Sequence, residues 1–273
     1  MVDPKSSDLQ TDAGLRIALE AGAEPVDPRQ LLGEFKTALW FPRYRAGQSG
    51  PWRLRAMATP GARGYWGDYY RLAGMVVLTG PSADGRACWM STTPSEIESQ
   101  EIGLDAARGH TAVLGLGMGW LAANVALRDE VRRLTVVEHD PRIIALITEQ
   151  GVFEQLPREA RDKIEIVEAD ANAWRPAAPV DVLLADIWAT TYGEERVRDV
   201  RRMQDNVGAA ALHFWGQEVH IWQAACRRAS PPALDWPLLR AIVAEDLRLP
   251  LILPDWPDYP QKIAAGAQWW TTS

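Results

Sequence analysis

The chain has 273 residues, is 47% hydrophobic and 24% charged, and carries a formal net charge of −7 with a pI near 5.2. This is ordinary globular composition, long enough for one large domain with an appendage or two small ones, and the acidic balance disfavours a nucleic-acid backbone as partner. No stretch is apolar enough to span a membrane, the polar start does not read as a signal peptide, and the distant Cys88 and Cys226 give neither a disulfide framework nor a zinc spacing and fit a reducing cytoplasm.

In chain order, residues 13–21 and 31–40 read as short helices. Residues 41–60 (FPRYRAGQSGPWRLRAMATP) are rich in Pro, Gly and Arg and read as irregular. The arginines there alternate with Tyr44 and Trp52. They suit an anion patch or, as the favoured reading, a solvated face stacked on aromatics. Residues 63–90 carry aromatic and β-branched runs around the turn sequence GPSADG and predict a small antiparallel hairpin pair. Thr93-Pro94-Ser95-Glu96 is a helix start: Thr93 as N-cap, Pro94 at the first helical position and Glu96 closing a capping box. The helix is expected to stop at Gly109. Three regions follow: 1–62, helical or irregular; 63–104, a small β-rich subdomain; and 105–273, a Rossmann-like nucleoside-binding domain.

The central unit is residues 111–140, TAVLGLGMGWLAANVALRDEVRRLTVVEHD. An apolar run meets Gly115, Gly117 and Gly119, a helical pattern follows, and a second apolar run ends at Glu138 and His139. Strand, glycine turn, helix, strand and acid make one right-handed βαβ unit. Glycines let the backbone approach a ligand, the helix start offers unpaired N–H groups, and an acid about 20 residues on accepts from ribose hydroxyls. The alternative is a glycine turn that only packs a helix on a sheet, with Glu138 solvated.

Beyond it, Asp140-Pro141 starts a helix that ends near Gly151. KIEIVE (163–168) is a third strand, followed by Asp170 and Ala171, and VDVLLA (180–185) is a fourth, ending in Asp186. Arg196, Arg198, Arg201 and Arg202 form a basic run expected to be solvated. Residues 209–214 are a fifth strand and 217–228 a helix. The tail holds a helix at 238–245, an LPLILP run and a Trp- and Pro-rich end. Many of the 13 tryptophans lie outside the βαβ unit and suit an apolar pocket or an oligomer interface, which admits a homodimer. The alternation predicts an α/β doubly wound, mostly parallel sheet, with ligands outside the carboxyl ends of its strands.

The series of strand ends resembles class I S-adenosylmethionine-dependent methyltransferases and, through the β-rich segment before VLGLGMGW, their spermidine-synthase-like group. The resemblance covers residues 65–214. It implies S-adenosylmethionine as cofactor, with Gly115, Gly117 and Gly119 near its methionine part and Glu138, next to His139, on the ribose. Asp170 and Ala171 would hold the adenine, and Asp186 would stand at the reaction centre as the candidate catalytic residue. Many methyltransferases have an acid at the position of Gly115 and a third glycine at that of Leu121. The aminopropyltransferases carry a Tyr-His-Glu sequence and an Asp-rich loop, where this chain reads WMSTTPSEIES and ADIWATTYGEE, so spermidine synthesis is disfavoured.

The expected function is therefore methyl transfer to a small-molecule acceptor. The alternatives are an aminopropyltransferase, an NAD(P)-binding oxidoreductase, since residues 117–122 also fit G-x-G-x-x-A, and a non-catalytic nucleoside-binding regulator. Trp120, expected to crowd a pyrophosphate, speaks against the nicotinamide reading. Tyr192 and His213 are secondary candidates for a base, His213 being more in keeping with a hydrogen-bonded core residue, and Trp188 and Trp215 are candidates for an aromatic wall.

Overall fold

The structure, a computed structural model, describes residues 24–82, 85–190 and 192–270. The helix expected over residues 13–21 lies outside the described residues. Residues 31–40 bury Leu31, Leu32 and Phe35 without forming a helix. Their backbone bonds cross to the next segment instead, from Glu34 N–H to the Arg71 carbonyl and from Ala73 N–H to the Leu31 carbonyl.

The first layer is built from β1 (Gly47–Ser49), β2 (Trp52–Ala58), β3 (Gly61–Arg63), β4 (Tyr69–Arg71), β5 (Gly74–Ser82) and β6 (Gly85–Ser91). Four of these form an antiparallel sheet in the order β1-β2-β5-β6, and β3 pairs with β4. Residues 41–60 are thus not irregular. β2 alternates buried Trp52 and Leu54 with exposed Arg53 and Arg55, the pattern of a strand with one dry face. Its arginines are the solvated face. The β-layer begins at Gly47, inside the segment 1–62, because Gly-Pro and Thr-Pro pairs at its ends conceal a seven-residue strand.

Thr93 caps α1 (Pro94–Ala106), its hydroxyl accepting from the Glu96 N–H at 3.4 Å. The reciprocal half of the capping box is absent. Thr93 N–H donates to the Ser91 hydroxyl, and the Glu96 carboxyl turns to Ser91. The helix delivers the chain to β7 (Gly109–Leu114). Then follow α2 (Trp120–Leu127), β8 (Val131–Glu138), α3 (Pro141–Glu149), the single turn α4 (Arg158–Arg161), β9 (Ile164–Glu168), β10 (Val182–Ala185), α5 (Arg196–Val207) and β11 (Ala211–Phe214). Asp140 caps α3 as expected, accepting from the Arg142 N–H.

The sheet order is β11-β10-β7-β8-β9 with every ladder parallel, and Leu251 extends it by one bridge to Leu212. Counted from β7, this is the order 3-2-1-4-5 of a Rossmann-like doubly wound sheet, and the switch point falls between β7 and β10. Two-residue periodicity sends alternate side chains to opposite faces. Val182 and Leu184 enter a core shared with Trp120 and Ile97, while Leu183 and Ala185 pack on Val200 and Met203 of α5. Burying each such aliphatic side chain contributes about 1.5–3 kcal/mol.

The C-terminal part adds α6 (Gln217–Arg228), α7 (Trp236–Ala241), which runs on as a wider π-type turn over Ile242–Leu247, and α8 (Tyr259–Trp270). Its core centres on the buried Glu218, which accepts from the hydroxyls of Tyr65 at 2.9 Å and Tyr259 at 2.6 Å. A buried carboxyl held in this way ties α8 to the loop between β3 and β4. Among the described residues no helix is long and apolar enough to cross a membrane.

Candidate functional site

The loops leaving β7, β8, β9 and β10 enclose a cavity of about 290 Å³ at the carboxyl edge of the sheet. Gly115, Gly117, Glu138 and His139 line it, as do Asp170, Ala171 and Asp186. Residues up to 71 positions apart in sequence meet there because parallel strands all point the same way. Gly119 stands apart. It is the N-cap of α2, and its Cα faces Ile147 and Val152 below the cavity.

Gly115 has φ +100°, and a Cβ there would collide with the carbonyl oxygen of Asp186. The glycine lets β7 and β10 leave the sheet in contact, with Asp186 N–H donating to the Leu114 carbonyl at 2.9 Å. In this backbone no acid fits at position 115.

Glu138 is held by the loops around it. One carboxylate oxygen accepts from Leu116 N–H at 2.9 Å and the other from Asp140 N–H at 2.8 Å. A carboxylate has about four lone-pair positions, so two remain for hydroxyl donors. Asp170 turns one oxygen back to the Asn172 N–H at 2.9 Å, and its other oxygen makes no hydrogen bond among the described residues. Asp140 accepts from the Trp52 indole N–H at 2.7 Å, which fastens the β-layer to the edge of the cavity. The Arg142 guanidinium beside Asp140 holds its carboxyl down at about 2.

Asp186 lies at the centre, where β10 ends next to β7. Gln100 of α1 donates to one of its oxygens at 2.7 Å. Burial raises the Asp186 carboxyl to about 7, although Arg196 and Gln100 pull the other way. Glu96 faces the same spot. Burial, then the charge of Asp186, push it well above the usual carboxylate range, with Ser91 opposing. The two carboxyls therefore face each other, with the Arg196 guanidinium acting on Asp186, and the pair retains a proton near neutrality.

That guanidinium corrects the reading of the basic run. Arg198 and Arg202 are solvated, but Arg201 is half-buried, donating to the Leu247 and Asp246 carbonyls, and Arg196 is only 2% exposed. It donates to the carbonyls of Trp215 and Thr190 and stacks over Trp188, 4.5 Å from the ring centroid. Burial lowers it to about 10. Among basic residues at helical spacing, nothing in the sequence marks those that point inward.

The remaining candidates divide. Trp188 lines the cavity. Trp215 is buried behind it, its indole N–H on the Ser99 hydroxyl at 2.9 Å. Tyr192 is exposed and stacks on His220 away from the cavity. His213 is a core residue, as favoured, but its Nε2 has no hydrogen-bond partner among the described residues, and burial lowers it to about 3. Trp120 does not crowd the helix start. Its ring is fully buried and packs on Phe41 at 5.6 Å, so the argument from its bulk does not hold.

The β-layer supplies what the strand-end argument leaves out. Trp52, Leu78, Trp89 and Met90 form an apolar wall opposite the acids. Trp89 and Met90 are consecutive, yet both reach the cavity, because the pairing of β5 with β6 steps from Leu78↔Met90 to Thr79↔Cys88 and leaves Trp89 as the extra residue of a bulge. Alternation alone would send one of them to the opposite face.

No family model and no curated protein matches this chain. Among solved structures it is similar to the 23S rRNA methyltransferase ErmE, with 18% identity over 43% of this chain and 44% of that one and a TM-score of 0.33. It is similar to DhpI, crystallised as its SAH complex, with 19% identity, 44% and 57% coverage and a TM-score of 0.32. A putative RNA methyltransferase from Pyrococcus horikoshii gives 17% identity, 49% and 67% coverage and a TM-score of 0.36. The chain spans about half the length of the first two.

Proposed function

We propose that the cavity binds S-adenosylmethionine and that the protein is a methyltransferase acting on a small-molecule acceptor, within a spermidine-synthase-like group. One observation carries this reading: the ends of four adjacent strands bring two glycines, a ribose-type acid, an adenine-type acid and a central acid to one cavity. In it, the two free lone pairs of Glu138 accept from the ribose hydroxyls, the free oxygen of Asp170 accepts from the adenine amino group, and the Ala171 N–H serves the ring. Gly115 and Gly117 line the side of the cavity that takes the methionine end, with Gly119 fixing the helix start beneath, and His139 flanks the ribose.

Bound, the sulfonium would supply an electrophilic methyl group. Positioning and exclusion of water account for most of such a reaction's rate. The wall of Trp52, Trp89 and Met90 excludes water, Trp188 faces the acceptor, and Asp186 orients the acceptor or takes its proton. An acid held near 7 suits that exchange at neutral pH.

A second reading, transfer of an aminopropyl group from the decarboxylated nucleoside, is favoured by one feature. Four acidic side chains and no lysine or arginine line the cavity among the described residues, a setting that suits a cationic tail. The test is calorimetry with S-adenosylmethionine, S-adenosylhomocysteine, decarboxylated S-adenosylmethionine and NADH. Micromolar binding of a sulfur nucleoside with no response to NADH is expected. Binding of NADH alone would overturn the proposal, and a clear preference for the decarboxylated nucleoside would select the second reading.

A further inference from the structure

The glycine loop is already occupied by a side chain of the β-layer. Met118 N–H, within the loop between β7 and α2, donates to the thioether sulfur of Met90 at 3.1 Å. The same sulfur fills the space where a Cβ on Gly117 would sit, and Gly117 has φ +51°. The Met118 carbonyl accepts from the Tyr44 hydroxyl at 2.8 Å, so the loop is pinned on its other side and cannot easily turn this N–H elsewhere. Met90 is 5% exposed and lines the cavity, and the bulge at Trp89 aims it there.

Backbone N–H groups of a glycine loop at a helix start are natural partners for an anion. In this molecule one of them is engaged by a weak, neutral acceptor on a flexible side chain. We propose that Met90 is a specificity-determining residue for the 5′ tail of the bound nucleoside. It sets a cost on tails that end in a carboxylate, which must displace the sulfur to reach Met118 N–H. It sets none on short or cationic tails, which leave the sulfur in place. This rests on the nucleoside reading of the cavity and adds to it a rule for which nucleoside is favoured. The acids of the lining act in the same direction on the carboxylate, while they favour the ammonium group beside it.

The experiment is titration calorimetry with S-adenosylhomocysteine, which carries the carboxylate, and 5′-methylthioadenosine, which does not, on wild type, Met90→Ala and Met90→Leu. Met90→Ala should tighten S-adenosylhomocysteine binding about fivefold or more, the scale of one hydrogen bond, and change 5′-methylthioadenosine by less than twofold. Met90→Leu keeps the volume and removes the acceptor, so it safeguards the test if the alanine variant folds poorly. It should shift the ratio of the two affinities in the same direction by at least twofold. Parallel changes for both nucleosides, or an unchanged ratio in both variants, would overturn the role of Met90 while leaving the nucleoside reading intact. Failure of wild type and variants to bind either nucleoside would overturn the nucleoside reading and this inference with it.

Discussion

Asp186→Asn tests the site through stability as well as rate. The Asp186 carboxyl has an ordinary value of 3.8 and is raised to about 7 in the fold, first by burial. The unfolded chain releases this proton near pH 4 and the folded chain keeps it to about pH 7. The folded state therefore binds more protons across that window, and stability falls as pH rises through it. At ~1.36 kcal/mol per pH unit the window amounts to about 4 kcal/mol, an upper bound because the cleft admits some water. Asparagine cannot ionise, and it can still accept from Gln100. In urea denaturation the variant should match wild type near pH 4 and exceed it by about 1–4 kcal/mol at pH 8. Turnover, once an acceptor is found, should fall roughly a hundredfold. A group that lowers stability in its working state while raising rate is what a reaction centre is expected to hold. Equal destabilisation of the variant at both pH values would refute the reasoning and make Asp186 a structural partner of Arg196.

Three further outcomes follow from the same geometry. Glu138→Ala should weaken nucleoside binding by about 1.5–3 kcal/mol in calorimetry while the protein stays folded, and unchanged affinity would remove Glu138 from the site. Gly115→Ala places a Cβ against the Asp186 carbonyl at φ +100° and should cost about 2–4 kcal/mol in chemical denaturation, where a neutral effect would show that the β7 and β10 exits separate freely. Arg196→Met removes the donor to the buried Trp215 carbonyl and to the Thr190 carbonyl, together with a guanidinium facing Asp186, so it should destabilise by about 3 kcal/mol at pH 8, whereas Arg198→Met on the solvated face should change stability by less than about 0.5 kcal/mol.

Local chemistry wrote much of this protein into its sequence. Short apolar runs alternating with helical patterns bury best as a parallel sheet with helices on both faces, so β7 to β11 as strands of one sheet follow from residues 109–214, while their order is read from the structure. Because parallel strands point one way, the residues just past each run, from Gly115 and Glu138 to Asp170 and Asp186, had to share one edge. Local caps at Thr93 and Asp140 were legible for the same reason: each depends on neighbours within three residues. Contacts that cross the chain were not legible. β2 lay hidden between Gly-Pro and Thr-Pro pairs, and only its packing reveals its dry face. The bulge that turns both Trp89 and Met90 to the cavity depends on the register against β5, which no periodicity within β6 encodes. Arg196 looks like its exposed neighbours until α5 docks and turns it beneath Trp188. The approach of Gln100, Glu96 and Arg196 to Asp186 joins three separate helices and loops, and the burial that shifts their protons exists only once those elements have packed. The sequence determined which groups stand at the carboxyl edge of the sheet, and tertiary packing decided how they are charged and what covers them.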